Sequence, residues 1–457
     1  MYIKTYISVF LIFFFVDSLV VLPQNTRMDG YKGLWYNTGE FSDYGYFLSG
    51  GVATYNSRYR PVAIFSPEAK KTFFVYGGTT GPDQRHLLIM ASYFDHRNHR
   101  VPKPVVVYDK MGVREPYDNA SISVDPGGFI WIFVSGWSRT RPGLIFRSSE
   151  PYSIDTFEEI ARSEMISPQP WWVENNGFFL MFSRLAKGLE LYFSSSSDGE
   201  NWSDSRKITR MGGNSQVSEL CGNKLVTVFN YHPGGEVYKQ TNLYLLQTED
   251  FGRTWKTIDN KTIEIPVTDV KNEALVRDYE AEGKLVNISD LNFDKNGNPV
   301  ILLILSRDVT PGPDGGPREW MIVHRKDNKW VFSKVCESDH NLDMGSLYIN
   351  DNEWRIIGTT EPGPQKYGTG GEVAIWISRN EGAGWEKAGD LTRNSLHNNS
   401  YVRRPANGNK DFYAFWSDGN ADRISPSMLY FTNYRGNRVW VLPSEMTESM
   451  EKPVRIK

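Results

Sequence analysis

The chain has 457 residues, of which 40% are hydrophobic and 14% aromatic, with 40 Gly and 24 Pro. This composition is typical of a protein with many short strands and tight turns. A net charge of −3 argues against binding to nucleic acid or to a membrane surface. The cysteines are Cys221 and Cys336, without metal-ligand spacing, so we expect free thiols, with a disulfide as the alternative.

Residues 1–22 have the pattern of an export signal. Lys4 supplies a positive charge before an apolar run from Tyr6 to Val16, which is too short to span a membrane as a helix. We therefore expect an exported protein, periplasmic or extracellular. Its mature part, residues 23–457, is expected to be one domain that does not insert in the membrane.

One unit recurs seven times after this segment: a strand, a tight polar turn and a second strand. The copies occupy residues 60–78, 118–136, 168–184, 215–231, 287–306, 344–360 and 402–418. Each copy is followed by a third apolar strand, and in most repeats by a weaker fourth. Four antiparallel strands repeated seven times predict an all-β, seven-bladed β-propeller. We expect residues 29–58 to complete the last blade beside the C-terminal strands.

Three of the third strands end in related turns: SSDGENW at 196–202, TEDFGRTW at 248–255 and SRNEGAGW at 378–385. The Asp or Asn can hydrogen-bond the backbone of its own turn, and the Gly can adopt a positive φ. The Trp is expected to fold back over the strand end as an apolar plug. This pattern resembles the Asp-box of sialidase-type propellers.

The loops that lead into the first strands and those that leave the second strands are predicted to share one face. Together they place Arg, His, Tyr, Asn and Trp around a central funnel. That mix suits an acidic sugar, because Arg binds carboxylates through two hydrogen bonds and aromatic rings stack on pyranose rings. The candidate catalytic residues are Tyr117, Tyr231, His232 and His340. The candidate substrate-binding residues are Asn119, Trp137, Arg277, Glu361, Arg403 and Arg404.

Structural roles are the alternative for these candidates. A lone His is more often structural than catalytic, Arg403 and Arg404 could form a salt bridge between blades, and Tyr117 and Tyr231 could be packing residues. No metal, redox or nucleotide cofactor is predicted. The segment DKNGN at 294–298 lacks the distal Glu of a calcium-binding loop, so a structural Ca²⁺ stays an alternative that no motif supports.

Several stretches, among them GYKGLWYNTGE, KTFFVYGG, FNYHPGG and YVRRP, resemble the BNR-repeat-containing proteins of polysaccharide-degrading bacteria. The resemblance covers about residues 30–443. That group borders the propeller-type ulvan lyases, the rhamnose–glucuronate lyases and an arabinogalactan α-L-rhamnosidase family. The resemblance implies an enzyme that acts on a glycan containing rhamnose and uronate.

Two departures from these relatives bear on the mechanism. The lyases resemble each other in a His on the loop into the second blade, where this chain has Tyr117. The rhamnosidase family relies on a His near the N-terminus, and here no His precedes His86. A Tyr could replace the lyase His as base or acid if a neighbouring Arg stabilises the anion.

The favoured hypothesis is cleavage of an acidic glycan by β-elimination. The Arg candidates, with Asn119, would neutralise the uronate carboxylate; His232 or Tyr117 would remove the C5 proton; Tyr231 or His340 would protonate the leaving oxygen. The alternatives are a glycoside hydrolase, rhamnosidase-like or sialidase-like, and a catalytically silent glycan-binding propeller. We expect a monomer in which His232, Tyr117 and Arg404 approach one central pocket.

Overall fold

The computed structural model describes residues 21–37, 41–42, 45–46, 49–81, 86–112, 118–340, 344–350 and 352–457. Its strands form seven antiparallel sheets of four or more strands, which confirms the predicted all-β, seven-bladed propeller. Each sheet is one blade, and its strands follow one another in chain order. The 3-10 helices Pro233–Gly235 and Gly312–Gly315 lie in connections.

Short strands precede the first blade: β1 (Trp35–Tyr36), β2 (Phe41–Ser42), β3 (Gly45–Tyr46) and β4 (Gly50–Gly51). The region of blade 1 contains β5 (Ala63–Ser66), β6 (Lys71–Gly78), β7 (Leu88–Asp95), β8 (Val101–Pro102) and β9 (Val105–Asp109), of which β8 lies outside the blade. Blade 2 contains β10 (Ala120–Val124), β11 (Ile130–Val134), β12 (Gly143–Ser148) and β13 (Phe157–Ser163). Blade 3 contains β14 (Ile166–Val173), β15 (Gly177–Leu185), β16 (Leu189–Ser196) and β17 (Arg206–Lys207).

The remaining blades follow the same order. Blade 4 contains β18 (Gln216–Cys221), β19 (Lys224–Tyr231), β20 (Thr241–Thr248), β21 (Trp255–Lys256), β22 (Thr262–Ile263) and β23 (Leu275–Arg277). Blade 5 contains β24 (Leu285–Phe293), β25 (Pro299–Ser306), β26 (Arg318–Lys326) and β27 (Lys329–Ser338). Blade 6 contains β28 (Gly345–Asn350), β29 (Glu353–Glu361), β30 (Glu372–Ser378) and β31 (Glu386–Asp390). Blade 7 contains β32 (Asn398–Arg403), β33 (Ala414–Gly419), β34 (Leu429–Thr432) and β35 (Val439–Val441), followed by β36 (Met450–Glu451) and β37 (Val454–Arg455).

The second strands are rich in apolar residues because both of their faces are covered. In β25 the run PVILLILS is buried on nearly every side chain, as expected for a strand packed between neighbouring sheets. The apolar clusters lie between blades, as where Trp131 of β11 packs against Phe178 of β15 with 5.2 Å between ring centroids. Burial of such large rings stabilises the contact between blades.

The turns that begin with Ser or Thr and end with Trp have the contacts that their residue types favour. The Asp198 carboxylate accepts hydrogen bonds from the amides of Glu200 and Asn201 at 2.9 and 2.8 Å. In the third turn, the Asn380 side-chain oxygen accepts the amide of Gly384 at 2.8 Å. These turns connect third strands to fourth strands, at the end of the blade opposite the loops that leave the second strands.

Ring closure differs from the sequence-based expectation for residues 29–58. Within the described residues, β1 pairs with β4, and Gly33 bridges Gly78 of blade 1 and Ser427 of blade 7. The segment therefore lies between the first and last blades but adds no described strand to blade 7, whose five strands all come from the C-terminal part of the chain. Closure is completed by β36, which pairs with β8.

The cysteines are free thiols, and the alternative of a disulfide does not apply. Cys336 is buried beside Trp320 and Ile322. Burial raises the pKa of its thiol, which makes it unreactive at neutral pH.

Candidate active site

The register of each blade shows which loops share a face. The start of a first strand pairs with the end of the second, as in Gln216 with Phe229 and Asn398 with Gly419. Loops that lead into first strands and loops that leave second strands therefore meet at one end of the propeller. This geometry is the one predicted for the funnel face.

A cavity of about 140 Å³ opens at the centre of that face, and we call it the central cavity. It is bounded by the N-terminal loop at residues 55–58 and by parts of blades 2 to 6. The polar and aromatic side chains that line it are Tyr55, Asn56, Ser57, Arg58, Trp137, Ser167, Ser215, Gln216, Tyr238, Gln240 and Asn287.

Arg58, Ser215 and His232 form a hydrogen-bonded row at the wall of the central cavity. Arg58 Nη1 donates to Ser215 Oγ at 3.1 Å, and Ser215 Oγ lies 3.1 Å from His232 Nε2. The Ser oxygen accepts from Arg58, and its own hydrogen can be donated to Nε2, an arrangement in which the neutral ring carries its proton on Nδ1. Nδ1 is buried and has no hydrogen-bond partner among the described residues.

His232 is fully buried behind Ser215. Burial, reinforced by the charge of Arg58, lowers the pKa of its imidazole to about 3. The ring is therefore neutral across the physiological range. It can accept a proton from Ser215, but the protonated form is costly while Arg58 is unpaired.

The candidates Arg403 and Asn119 hold the loop that carries Arg58. Arg403 Nη1 donates to the carbonyl of Thr54 at 3.1 Å, and its guanidinium also bonds the carbonyls of Asn56 and Tyr59. Asn119 Nδ2 donates to the carbonyls of residues 53 and 55 at 3.2 and 3.1 Å. Both side chains are buried. They position the wall of the cavity.

Arg404 lies in a buried ion cluster with Arg60, Glu219 and Asp290. Arg404 Nη2 lies 2.6 Å from Glu219 Oε2, and Arg60 Nη1 lies 2.8 Å from Asp290 Oδ1. Although burial alone would raise the pKa of Asp290, the charges of Arg404 and Arg60 hold it below its usual value. Arg404 lines a separate small pocket and is not among the residues that line the central cavity.

His340 and Tyr231 lie away from the central cavity. His340 Nδ1 is 2.9 Å from Asp339 Oδ1, and Nε2 is 2.5 Å from the carbonyl oxygen of Thr359. Both ring nitrogens thus face oxygen acceptors of the protein. Tyr231 packs against the apolar cluster between blades 3 and 4 that includes Phe229.

The remaining candidates occupy different places. Trp137 lines the central cavity. Arg277 pairs with Glu282 at 2.7 Å on the outer part of blade 4, and Glu361 pairs with Lys387 at 2.9 Å in blade 6. Tyr117 lies outside the described residues.

Pooling the loops at the blade ends identified Trp137 as lying on this face, but it missed Arg58. The signal for Arg58 is the segment RYRP at 58–61, just ahead of the first hairpin. Its place before the first repeat kept it out of the pooled loops. Tyr238 was missed for a related reason, because it follows His232 in a long connection between the second and third strands of blade 4.

Metal ligands and membrane spans were sought in the described part of the chain. There, no group of three or more His, Cys, Asp or Glu side chains is placed to hold a metal ion. No helix in the same residues is long and apolar enough to cross a membrane.

A sequence comparison matches residues 95–338 to a family described as BNR repeat-containing family member. No curated protein matches the chain.

Solved structures share the fold at low sequence identity. One is an ulvan lyase of the polysaccharide lyase family PL25 bound to -[GlcA(1-4)Rha3S]-, with a TM-score of 0.68, 15% identity, and coverage of 92% of this chain and 97% of that chain. Another is the polysaccharide lyase Uly1, with a TM-score of 0.64, 11% identity, and coverage of 89% and 99%. These similarities extend over almost the whole propeller.

Proposed function

Because this chain belongs to the BNR repeat-containing family, we propose that it is an exported carbohydrate-active propeller that cleaves an acidic glycan in its central cavity. The favoured reaction is β-elimination at a uronate. The observation that carries the proposal is the position of Arg58 in the wall of that cavity.

Arg58 differs from the other Arg side chains near the axis. Arg60 and Arg404 are paired with Glu219 and Asp290, and Arg403 is bonded to backbone carbonyls. Among the described residues, no carboxylate forms an ion pair with Arg58, which donates to the neutral Ser215 hydroxyl. A partly exposed, unpaired guanidinium in a cavity is suited to a ligand carboxylate, which it can bind through two hydrogen bonds.

Trp137 and Tyr238 line the same cavity and supply the aromatic surface that a sugar ring requires. Of the two structures that share the fold, one is described as an ulvan lyase bound to -[GlcA(1-4)Rha3S]- and the other as a polysaccharide lyase. A glucuronate–rhamnose glycan is therefore the substrate class that we propose.

Arg58, Ser215, His232 and Tyr238 each have a role in this elimination. Pairing of the substrate carboxylate with Arg58 stabilises the charge that develops when the C5 proton leaves. Ser215 Oγ takes that proton while passing its own to His232 Nε2. The C5–H electrons form the C4–C5 double bond as the C4–O bond breaks, and Tyr238 donates a proton to the leaving oxygen. A carboxylate bound at Arg58 also offsets the positive charge that, after burial, depresses the pKa of His232.

A second candidate, glycan binding without cleavage, is favoured by the burial of His232 and its pKa of about 3. An imidazole that is so hard to protonate is a weak base. In that case Arg58, Trp137 and Tyr238 would serve as a binding site only.

The experiment is incubation of the purified protein with ulvan and a panel of other uronate glycans, followed by ultraviolet absorbance of the unsaturated uronate product. Arg58→Ala should lower the rate about ten- to hundred-fold, since a charge-assisted hydrogen bond contributes roughly 1.5–3 kcal/mol. Arg277→Ala is the matched control, because that Arg pairs with Glu282 on the outer part of blade 4.

Three outcomes separate the candidates. Reducing ends released without the chromophore would replace elimination by hydrolysis. Tight binding without turnover would support the silent binding propeller. Equal rates for Arg58→Ala and Arg277→Ala would remove the central cavity from the proposal.

A further inference from the structure

A second and larger concave surface lies between blades 6 and 7, and we call it the interblade groove. It is formed by the end of β31, the connection at residues 391–397, the end of β33, the start of β34, and residues 456–457. Its volume is about 780 Å³, against about 140 Å³ for the central cavity. That size lies within the range of roughly 300–1,000 Å³ that is typical of ligand sites.

The polar centre of the groove is Asp418, which is 8% exposed. Its Oδ1 accepts the amide of Met428 at 2.7 Å, and its Oδ2 accepts the hydroxyl of Tyr430 at 2.8 Å. A carboxylate offers about four acceptor positions, so each oxygen of Asp418 retains capacity for a further donor.

Asp418 has an unusual electrostatic environment for a buried carboxylate. In the described part of the chain no Lys or Arg forms an ion pair with it, and His397 Nδ1 lies at 4.0 Å. Burial raises the pKa of Asp418 to about 6, against the opposing hydrogen bonds of Met428 and Tyr430. Buried carboxylates are ordinarily paired with a cation, and a strongly perturbed carboxyl in a cleft is a candidate for ligand binding.

The charged side chains of the opposite wall already have partners within the protein. Asp390 pairs with Arg393 at 2.7 Å and with Lys387 at 2.5 Å. Lys457 Nζ donates to the backbone carbonyl of Gly436 at 3.2 Å. The groove therefore presents hydrogen-bond acceptors rather than an unpaired cation. Such a surface suits a neutral ligand with many hydroxyl donors.

Apolar side chains lie beside these acceptors. Leu396 is 86% exposed, and Ile456 is also exposed. Both line the groove together with Met428. A carboxylate next to exposed apolar surface matches a sugar unit, which has hydroxyl groups on its edge and C–H groups on its faces.

We propose that the interblade groove is a second carbohydrate-binding site, which takes a neutral sugar unit whose hydroxyls donate to Asp418 while its C–H face packs on Leu396. The choice of a sugar rests on the proposed function, whereas the site itself rests on the groove. His397 and the connection at residues 391–397 lead directly into the first strand of blade 7, so the groove opens toward the same face as the central cavity.

The experiment measures binding of L-rhamnose, D-xylose and their disaccharides to the full chain by titration calorimetry. It is done in an Arg58→Ala background so that the central cavity does not contribute. Asp418→Asn should weaken binding at least ten-fold, and Leu396→Ser should weaken it several-fold. Asp422→Asn is the matched control, because Asp422 is an exposed Asp in the connection that follows β33 and does not line the groove.

The pH dependence provides a separate readout. Binding should strengthen as pH rises through about 6, because the ionised Asp418 is the better acceptor, and Asp418→Asn should abolish this dependence. The other titratable or charged groups around the site are His397 and Tyr430 beside Asp418, Arg423 near His397, and Asp390, Arg393 and Lys457 on the opposite wall. His397→Gln should leave the rise in binding in place.

Leu396→Ser changes an exposed residue and should fold normally, so the test survives if Asp418→Asn is unstable. No binding of any of these sugars at millimolar concentration, or equal binding by wild type, Asp418→Asn and Leu396→Ser, would overturn the proposal. Sugar binding at the groove without any uronate cleavage would leave the inference standing while the proposed lyase function fails. Uronate cleavage without sugar binding at the groove would overturn the inference while the proposed lyase function stands.

Discussion

The two ends of the propeller differ in how far apart in sequence the partners of their side-chain hydrogen bonds lie. At the turn end, Asp198 and Asn380 bond amides two to four residues away. At the cavity end, Asn119 bonds a carbonyl 66 positions away, and Arg403 bonds one 349 positions away. Local bonds leave a pattern in a short stretch of sequence, whereas long-range bonds do not.

The largest effect is expected at the turn end, from Trp255→Ala. Trp255 is 1% exposed and packs on Phe193 with 5.5 Å between ring centroids. Its removal should cost about 3–5 kcal/mol of unfolding free energy, measured by urea denaturation. Cleavage per folded molecule should be unchanged, because the ring lies far from the central cavity.

Trp385→Ala is the control for that change, since Trp385 ends the third turn but is only half-buried. It should lose less stability than Trp255→Ala. Equal losses in the two variants would show that burial of the Trp does not decide the contribution of these turns.

The next largest effect is expected at the cavity end, from Arg403→Ala. The carbonyls of residues 54, 56 and 59 would lose their donor, which should cost about 1–3 kcal/mol. Because the same loop carries Arg58, uronate cleavage should fall as well. Stability and cleavage would thus be coupled at this end, unlike at the turn end.

Arg403→Lys tests the geometry, because one ammonium does not reproduce the fork of a guanidinium. It should restore neither stability nor cleavage fully. The exposed Arg438→Ala serves as the control for loss of a charge. Wild-type cleavage by Arg403→Ala would show that its bonds to the loop are not needed for the active site.

A small effect is expected for Asp198→Asn. Asn380 already fills the equivalent position of the third turn. Replacing the Asp198 carboxylate by an amide should therefore lower the free energy of unfolding by about 0.5 kcal/mol or less. Hydrogen bonds from the side chain and backbone of Asn201 lower the pKa of Asp198. A lowered folded pKa gives stability that is present above the unfolded value near 4 and is lost as pH falls. Thermal unfolding of the variant should lack this contribution to the acid dependence, and Asp198→Ala should be less stable than Asp198→Asn.

The smallest effect concerns His232 and pH. Since its pKa is about 3, the free enzyme should show no ionisation of this ring between pH 5 and 8. The dependence of kcat/KM on pH over that range should therefore keep its shape in His232→Gln, even though the rate falls. A step near pH 6.5 that disappears in His232→Gln would contradict the buried, neutral ring.

The sequence was sufficient to predict the architecture because each blade repeats its own local rules. The seven hairpins, the third strands and the turns at Asp198 and Asn380 are all contained in windows of a few residues. The shared face also followed, because antiparallel pairing fixes where each loop lies.

The contacts of the side chains on that face were harder to predict from the sequence. Nothing in the segment YVRRP distinguishes Arg403, which bonds carbonyls, from Arg404, which bonds Glu219 and Asp290. Likewise, the availability of Arg58 depends on which carboxylates are already paired with Arg60 and Arg404. These properties depend on contacts between residues more than a hundred positions apart.

The pairing of β36 with β8 has a consequence for biosynthesis. Arg100 lies beside Met450, 350 positions along the chain. During translation, blades 1 to 6 can assemble in turn from neighbouring segments, but the ring cannot close until residue 450 has left the ribosome. Contacts of such long sequence separation form slowly, so closure of the ring, rather than assembly of any one blade, is expected to limit the rate at which the newly made protein matures.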